Sequence, residues 1–241
     1  MSNSVILKTR AGLNRPTLAT LDQDDLINQT MLTLADVAPG VNFTVKTVFR
    51  DKSHTRAAGA YGGGGVYRHT LRSDTPVTIN NDVCYPQIII VDQTFAGGTL
   101  KVFVGFFRLV CSNGLVVSAG ETTRWSVSHR LSSVQQLMEL SSSIAAAWSS
   151  VIKAQDVLTA AAQTTVIPGK VIDGLTVFSE NRREQIKRAL PTARAEDVVT
   201  TAYGLYNFIN ELDRRSARIN STAHLDRDSN MLSNILQLAA A

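Results

Sequence analysis

Residues 99–117 read Thr-Leu-Lys-Val-Phe-Val-Gly-Phe-Phe-Arg-Leu-Val-Cys-Ser-Asn-Gly-Leu-Val-Val, and this stretch decides the fold. In its first half, large apolar residues alternate between the face of Leu100 and the face of Phe103. Apolar residues on both faces are typical of a central strand that is covered on both sides. Asn113-Gly114 then favours a reversal of the chain, because both residues tolerate positive φ angles. We therefore expect a second strand from Leu115.

Arg108 is the exception within this stretch, because it is the one charged residue between Val102 and Ala119. Burying a guanidinium without a partner costs free energy. The sequence therefore predicts that Arg108 either has an anionic partner within the fold or faces a site that supplies one.

The period of the apolar residues predicts the strands and helices around this stretch. Alternation with a period of two predicts strands at residues 41–49, 66–71, 85–91 and 121–128, with a hairpin over residues 85–109. Helical spacing predicts helices from Asp25 to Pro39, from Val134 to Leu158, and over residues 179–190 and 198–212. The second of these helices is expected to run without a break for about eight turns.

The strand-forming segments precede most of the helix-forming segments and do not alternate with them. This order predicts an α+β fold, with an antiparallel sheet in the N-terminal half packed against long helices of the C-terminal half. We expect a single domain over residues 1–220, which begins with an extended arm at residues 1–20. Residues 221–241 should form a tail with a short amphipathic helix, packed on its own chain or on a neighbouring subunit.

The composition excludes several classes of protein. With 44% hydrophobic and 18% charged residues, the chain can bury a core and is not disordered as a whole. Two cysteines are too few for a disulfide framework and suit a reduced cytoplasmic protein. We find no signal peptide and no apolar run near the roughly 20 residues that span a bilayer, so we expect no membrane association.

Positive charge is concentrated in one N-terminal segment. Residues 46–72 contain six basic residues and one acidic residue, whereas eleven of each follow from Leu131 to the end. Such an excess predicts an anionic partner, most commonly nucleic acid. The segment also holds aromatic residues and four consecutive glycines, and proteins that bind single strands combine phosphate contacts with base stacking. The predicted nucleic-acid-binding residues are Lys46, Arg50, Lys52, Arg56, Tyr61, Tyr67, Arg68 and Arg72.

A second group of polar residues follows the central strand. We predict one structural polar cluster where the sheet meets the helices, formed by Arg108, Cys111, Asn113, His129 and Asn207. A ligand site built from the same residues is the alternative.

No catalytic or metal-binding pattern stands out. The glycines at residues 62–65 lack the Gly-Lys-Ser/Thr that follows in a phosphate loop. Cys111 lies among apolar residues, which is more typical of a small core residue than of a nucleophile paired with His129. The four histidines share no short ligand spacing. We therefore expect no enzymatic activity, no metal and no cofactor.

Two short segments carry a resemblance to a known family. They are the run from Phe107 to Gly114, Phe-Arg-Leu-Val-Cys-Ser-Asn-Gly, and the later Ser128-His129-Arg130. These residues resemble the signature of a phage- and plasmid-borne family that is catalogued only as a domain of unknown function, number 932. Tyr206-Asn207 is similar to a Tyr-Asn pair on a later helix of its members. The resemblance covers residues 40–215 and implies a phage or mobile-element origin, with no assigned biochemistry. Some phage proteins with a curved sheet and long helices anneal single strands, so analogy of fold implies the same ligand.

The sequence therefore predicts a DNA-binding protein of a replication or recombination apparatus, which holds single-stranded DNA. We expect it to act as a homo-oligomer in the cytoplasm of a bacterial host. The alternative is a protein-interaction factor without catalysis, which binds a host component of defence or transcription. In that case the basic segment would contact an acidic surface of the host protein.

Overall fold

The computed structural model describes residues 21–51, 65–94, 99–109, 113–116, 124–195, 197–216 and 222–240. The strands are β1 Phe43–Asp51, β2 Gly65–Ser73, β3 Val77–Ile79, β4 Asp82–Gln93, β5 Thr99–Arg108, β6 Asn113–Val116 and β7 Trp125–Ser128. The helices are α1 Gln23–Val37, α2 Ser133–Ser149, α3 Val151–Gln163, α4 Pro168–Gly174, α5 Glu180–Ala189, α6 Ala202–Ser216 and α7 Thr222–Ala240, with a 3-10 turn at Leu190–Thr192.

The sheet has the strand order β1-β2-β4-β5-β6, and β3 pairs with β4 while β7 pairs with β5. An antiparallel sheet in the N-terminal half and helices in the C-terminal half confirm the predicted α+β fold. β5 and β6 pair antiparallel, with Arg108 opposite Asn113 and Phe107 opposite Gly114. The chain therefore reverses as expected, but the predicted place of the reversal is wrong, because Asn113-Gly114 already forms the first two residues of the return strand.

The first of two compact units draws on Met1–Asp74, Ile88–Phe103 and Arg124–Ser149. In this unit α1 packs against α2, and α2 also contacts β7. Asp22 caps α1, because its carboxylate accepts a hydrogen bond from the backbone N–H of Asp24 at 2.9 Å. The ring of Phe43 on β1 meets Trp148 on α2 edge to face, with 5.1 Å between centroids.

The second unit draws on Thr75–Gln87, Val104–Thr123 and Ser150–Ala241. Here α6 contacts α3, α7 and β6, while α4 contacts α5 and α7. Pro168 opens α4, where its missing N–H leaves no hydrogen bond unmade. Ser179 caps α5, as its side chain accepts a hydrogen bond from the backbone of Arg182.

The prediction of one unbroken helix from Val134 to Leu158 is wrong. The structure ends α2 at Ser149, has a turn at Ser150 and begins α3 at Val151. The interruption is short, because Ser150 keeps right-handed helical angles, with φ −84° and ψ −6°. Apolar periodicity alone does not detect such a break.

The tail helix is longer than predicted, because α7 begins at Thr222 rather than near Ser229. Its first turns are polar, and an ion pair between Arg227 and Asp213 connects them to α6. Met231, Leu232 and Ile235 are buried, and α7 packs on α4, α6 and β6 of its own chain.

Candidate nucleic-acid interface

The β1–β2 hairpin carries the described part of the predicted basic segment. The two strands pair antiparallel over their whole length, from Phe43 opposite Ser73 to Asp51 opposite Gly65. Residues directly opposite each other in such a pair point to the same face, and alternate residues of a strand share a face. The register of the two strands therefore determines which side chains lie together.

Three of the predicted cations lie on one face of this hairpin, which we call the cationic face: Lys46, Arg68 and Arg72. Lys46 lies opposite Thr70, Arg68 opposite Val48 and Arg72 opposite Thr44. Lys46 is exposed, while Arg68 and Arg72 are half-buried. On the backbone, Arg50 occupies the next position of the same series, opposite Val66.

The aromatic residues lie on the opposite face of the hairpin. Phe49 and Tyr67 face each other in the register, and their rings pack with 4.5 Å between centroids. The ring of Tyr67 is also parallel to that of His69, at 6.1 Å. The structure therefore does not bring Tyr67 together with Lys46, Arg68 and Arg72, although the sequence grouped them.

Within the first unit, a chain of polar side chains on this opposite face connects the hairpin to α1 and β4. Thr47 Oγ1 donates to His69 Nδ1 at 2.9 Å, and His69 Nε2 donates to Gln23 Oε1 at 2.7 Å. Gln23 Nε2 then donates to Asp92 Oδ2 at 2.7 Å. Burial lowers the pKa of His69, although the charge of Asp92 opposes that shift. A neutral His69 with its proton on Nε2 satisfies every contact in this chain.

His129 meets the other oxygen of Asp92. Its Nε2 lies 2.8 Å from Asp92 Oδ1, and its Nδ1 lies 3.2 Å from Gln136 Oε1. Gln136 Nε2 donates to the carbonyl of Leu131 at 2.8 Å, which fixes the orientation of the amide. Both ring nitrogens therefore lie beside acceptor oxygens, an arrangement that favours the protonated imidazole. Burial opposes the charged form, but the contact with the charge of Asp92 and the hydrogen bond to Gln136 raise the pKa of His129.

Arg108 is buried in the second unit and has anionic partners within the fold. Its Nε donates to Asp82 Oδ2 and its Nη1 to Asp197 Oδ1, each at 2.6 Å. The hydroxyl of Tyr203 donates to the same Asp82 oxygen at 3.0 Å, and burial raises the pKa of Tyr203. Arg194 holds the other oxygen of Asp197 at 3.4 Å. This arrangement is a structural ion-pair network that joins β4, β5 and α6.

Two members of the predicted polar cluster lie close to this network. The backbone of Asn113 pairs with that of Arg108. Asn207 is buried on α6, one turn after Tyr203.

The structure gives His129 and Arg108 different anionic partners, because His129 pairs with Asp92 and Arg108 pairs with Asp82. The two acids lie near opposite ends of β4, and each contacts a different cationic group. Sequence reasoning missed both acids. The available signal was their position at the two ends of a strongly apolar strand.

Several predicted site residues lie outside the described residues, namely Lys52, Arg56, Tyr61 and Cys111. The structure describes only the backbone of Arg50 and Asn113.

The cations of α5 are mostly paired within the second unit. Arg182 bonds to Asp213 at 2.9 Å, and Lys187 bonds to Asp173 at 2.7 Å. Arg183 donates to the carbonyl of Phe178 at 3.0 Å. These contacts favour a structural role for α5 over a second anion-binding surface.

Among the described residues, no three histidine, cysteine or acidic side chains gather as metal ligands. Within the same ranges, no helix combines the length and the apolar character needed to cross a bilayer.

Comparison with known proteins identifies one family. No curated protein and no solved structure shows detectable similarity to this chain. Residues 32–236 match the family model described as "Domain of unknown function (DUF932)". That description names neither an activity nor a source, so the phage or mobile-element origin stays a prediction. Since the match covers most of its length, the chain belongs to this family of unknown function.

Proposed function

We propose that this protein binds nucleic acid, with single-stranded DNA as the ligand, through the cationic face of the β1–β2 hairpin. The observation that supports the proposal is the register of the two strands, which sets Lys46, Arg68 and Arg72 side by side on one face. Their partners in the register on that face, Thr44, Val48 and Thr70, carry no charge. A local row of cations with no acidic residue interleaved favours a polyanion over a small ligand.

The test is fluorescence polarisation with a labelled single-stranded oligonucleotide over a series of salt concentrations. Phosphate contacts release counterions, so affinity should fall as salt rises. The triple variant Lys46→Gln, Arg68→Gln, Arg72→Gln should bind at least ten times more weakly at low salt. It should also lose most of the salt dependence.

A matched control removes three positive charges elsewhere. Lys153, Lys170 and Arg188 are exposed on α3, α4 and α5, so their replacement by glutamine changes net charge equally. The control variant should bind like the unaltered protein. Equal losses in both triple variants would mean that net charge, not this face, attracts DNA, and would overturn the proposal.

A second candidate is a protein-interaction factor that binds a host component. The observation that favours it is exposed apolar surface on α2, where Val134 and Met138, one turn apart, are 68% and 66% exposed. Capture of a host protein from a nuclease-treated lysate, lost in Val134→Ser, Met138→Ser, would support this candidate. Retention that depends on nucleic acid would instead support DNA binding.

A further inference from the structure

The cations of the hairpin form a regular row, one at each successive step of the cationic face. Arg72 lies opposite Thr44, Lys46 opposite Thr70 and Arg68 opposite Val48. The position of Arg50, opposite Val66, continues the series. Each cross-strand pair thus contains one basic and one uncharged residue, and the basic residue alternates between β2 and β1.

The step of this row is two residues of a β-strand, which is about 7 Å. Two residues of peptide backbone contain six covalent bonds. One nucleotide also contributes six covalent bonds between successive phosphorus atoms of a polynucleotide. An extended single strand laid along the hairpin therefore repeats its phosphate at nearly the same step as the protein repeats its cation.

The cationic side chains and the aromatic side chains of the hairpin lie on opposite faces. Phe49 and Tyr67 pack on each other on the face opposite Lys46, Arg68 and Arg72. Stacking on aromatic side chains is the usual source of base contacts in proteins that bind single strands. The described cationic face therefore offers groups for phosphates and no ring for bases.

We infer that the cationic face binds the sugar–phosphate backbone of an extended single strand, one phosphate for each cross-strand pair, with the bases turned away. This inference rests on the proposed function and adds the form of the ligand. A duplex fits less well, because each of its backbones winds around the helix axis and turns away from a row of cations that follows the strands.

The first experiment measures the salt slope of the affinity, d log K/d log [salt], for four single variants: Arg50→Gln, Lys46→Gln, Arg68→Gln and Arg72→Gln. Each phosphate contact to a single strand contributes about 0.7 to the slope. Each variant should therefore reduce the slope by about the same amount, ~0.7. Lys153→Gln is the matched control and should leave the slope unchanged. A change of slope in only one of the four variants would contradict the binding of one phosphate by each cross-strand pair.

The second experiment compares three labelled ligands of equal length at one salt concentration: a thymine strand, a strand with abasic sugars and a duplex. We expect the abasic strand to bind within threefold of the thymine strand, and the duplex at least tenfold more weakly. A tenfold loss with the abasic strand, or equal binding of the duplex, would overturn the inference while nucleic-acid binding stands. Failure of all three ligands to bind would instead overturn the proposed function.

Discussion

At the scale of single residues, Arg108 illustrates how a charge is kept inside an apolar strand. The guanidinium bonds to Asp82 and Asp197, which are 26 and 89 residues away in sequence. The presence of one charge among apolar residues predicted that a partner is needed. Local periodicity does not show which acid contacts which cation when the two are so distant along the chain, so the sequence could not assign these partners to Arg108.

Replacing Arg108 by methionine is expected to lower the free energy of unfolding by about 3–5 kcal/mol, because it removes the cation that the buried Asp197 and the half-buried Asp82 share. Urea denaturation followed by circular dichroism measures the change. Arg188→Met on the exposed face of α5 is the control and should stay within about 0.5 kcal/mol. The triple variant with Asp82→Asn and Asp197→Asn should recover part of the loss. A loss in Arg108→Met no larger than in the control would contradict the network.

The His129–Asp92 pair predicts a pH dependence with a defined sign. Burial opposes the charged form of His129, but the ion pair with Asp92 and the hydrogen bond to Gln136 raise its pKa above the ordinary value of 6.5 in the folded protein. The folded state therefore binds this proton more tightly than the unfolded state does. The resulting stabilisation is complete below pH 6.5 and is lost as the pH rises through the folded value. Urea denaturation of the unaltered protein and His129→Gln, from pH 5 to 9, should show the difference in stability shrinking as pH rises.

The pKa of His69 shifts in the opposite direction to that of His129, so His69 should show the opposite pH dependence. Burial lowers the pKa of His69 below 6.5, so its contribution is present above that pH and is lost as the pH falls towards the folded value. The difference in stability between the unaltered protein and His69→Gln should therefore stay constant above pH 6.5 and shrink as the pH falls below it. Identical profiles for the two variants would contradict the assigned protonation states.

At the scale of elements, the hairpin shows which side-chain arrangements the period of a strand predicts and which it does not. Lys46 and Arg50 are four residues apart, as are Arg68 and Arg72, so each pair lies on one face of its own strand. By the same rule Tyr67 lies on the other face from Arg68. Whether the two pairs share a face depends on the register, which only the structure supplies. The break at Ser150 was invisible for a similar reason, since the apolar pattern continues across it.

Gly204 on α6 provides a test of packing at this scale. A Cβ atom at this position would lie 2.0 Å from the backbone oxygen of Val198, and backbone cannot move aside as a flexible side chain can. Gly204→Ala should therefore lower the free energy of unfolding by about 1–3 kcal/mol or more, despite the better helix propensity of alanine.

The control for this substitution is Gly169→Ala on α4, where a Cβ atom meets nothing within 4 Å. That variant should be neutral, or more stable by about 0.4–1 kcal/mol. Thermal or urea denaturation compares the two. Equal stability of Gly204→Ala and Gly169→Ala would show that α6 does not approach Val198 as described.

At the scale of the whole molecule, β4 and β5 each contribute residues to both compact units. Neither unit is a continuous stretch of chain, so each depends on strands that the other also uses. Strand order and shared strands arise from contacts between distant residues. The sequence predicted the fold class from the order of its elements, but it contained no local signal for this division.

Sharing two strands predicts that both units unfold in one transition. Trp125 and Trp148, the two tryptophans of the chain, both lie in the first unit, whereas most described helical residues lie in the second. Tryptophan fluorescence and far-ultraviolet circular dichroism therefore report mainly on different units. Their urea transitions should coincide, and midpoints that differ would show independent unfolding.

The position of β1 gives the cationic face a further consequence. β1 is the outermost described strand on its side of the sheet, and such an edge is prone to pair with the edge of another molecule. Lysine on an edge strand opposes that pairing, because two approaching copies would bring like charges together. We therefore expect Lys46 also to oppose self-association of the protein in solution. Light scattering should reveal more self-association when Lys46, Arg68 and Arg72 are replaced by glutamine than when three distant charges are removed.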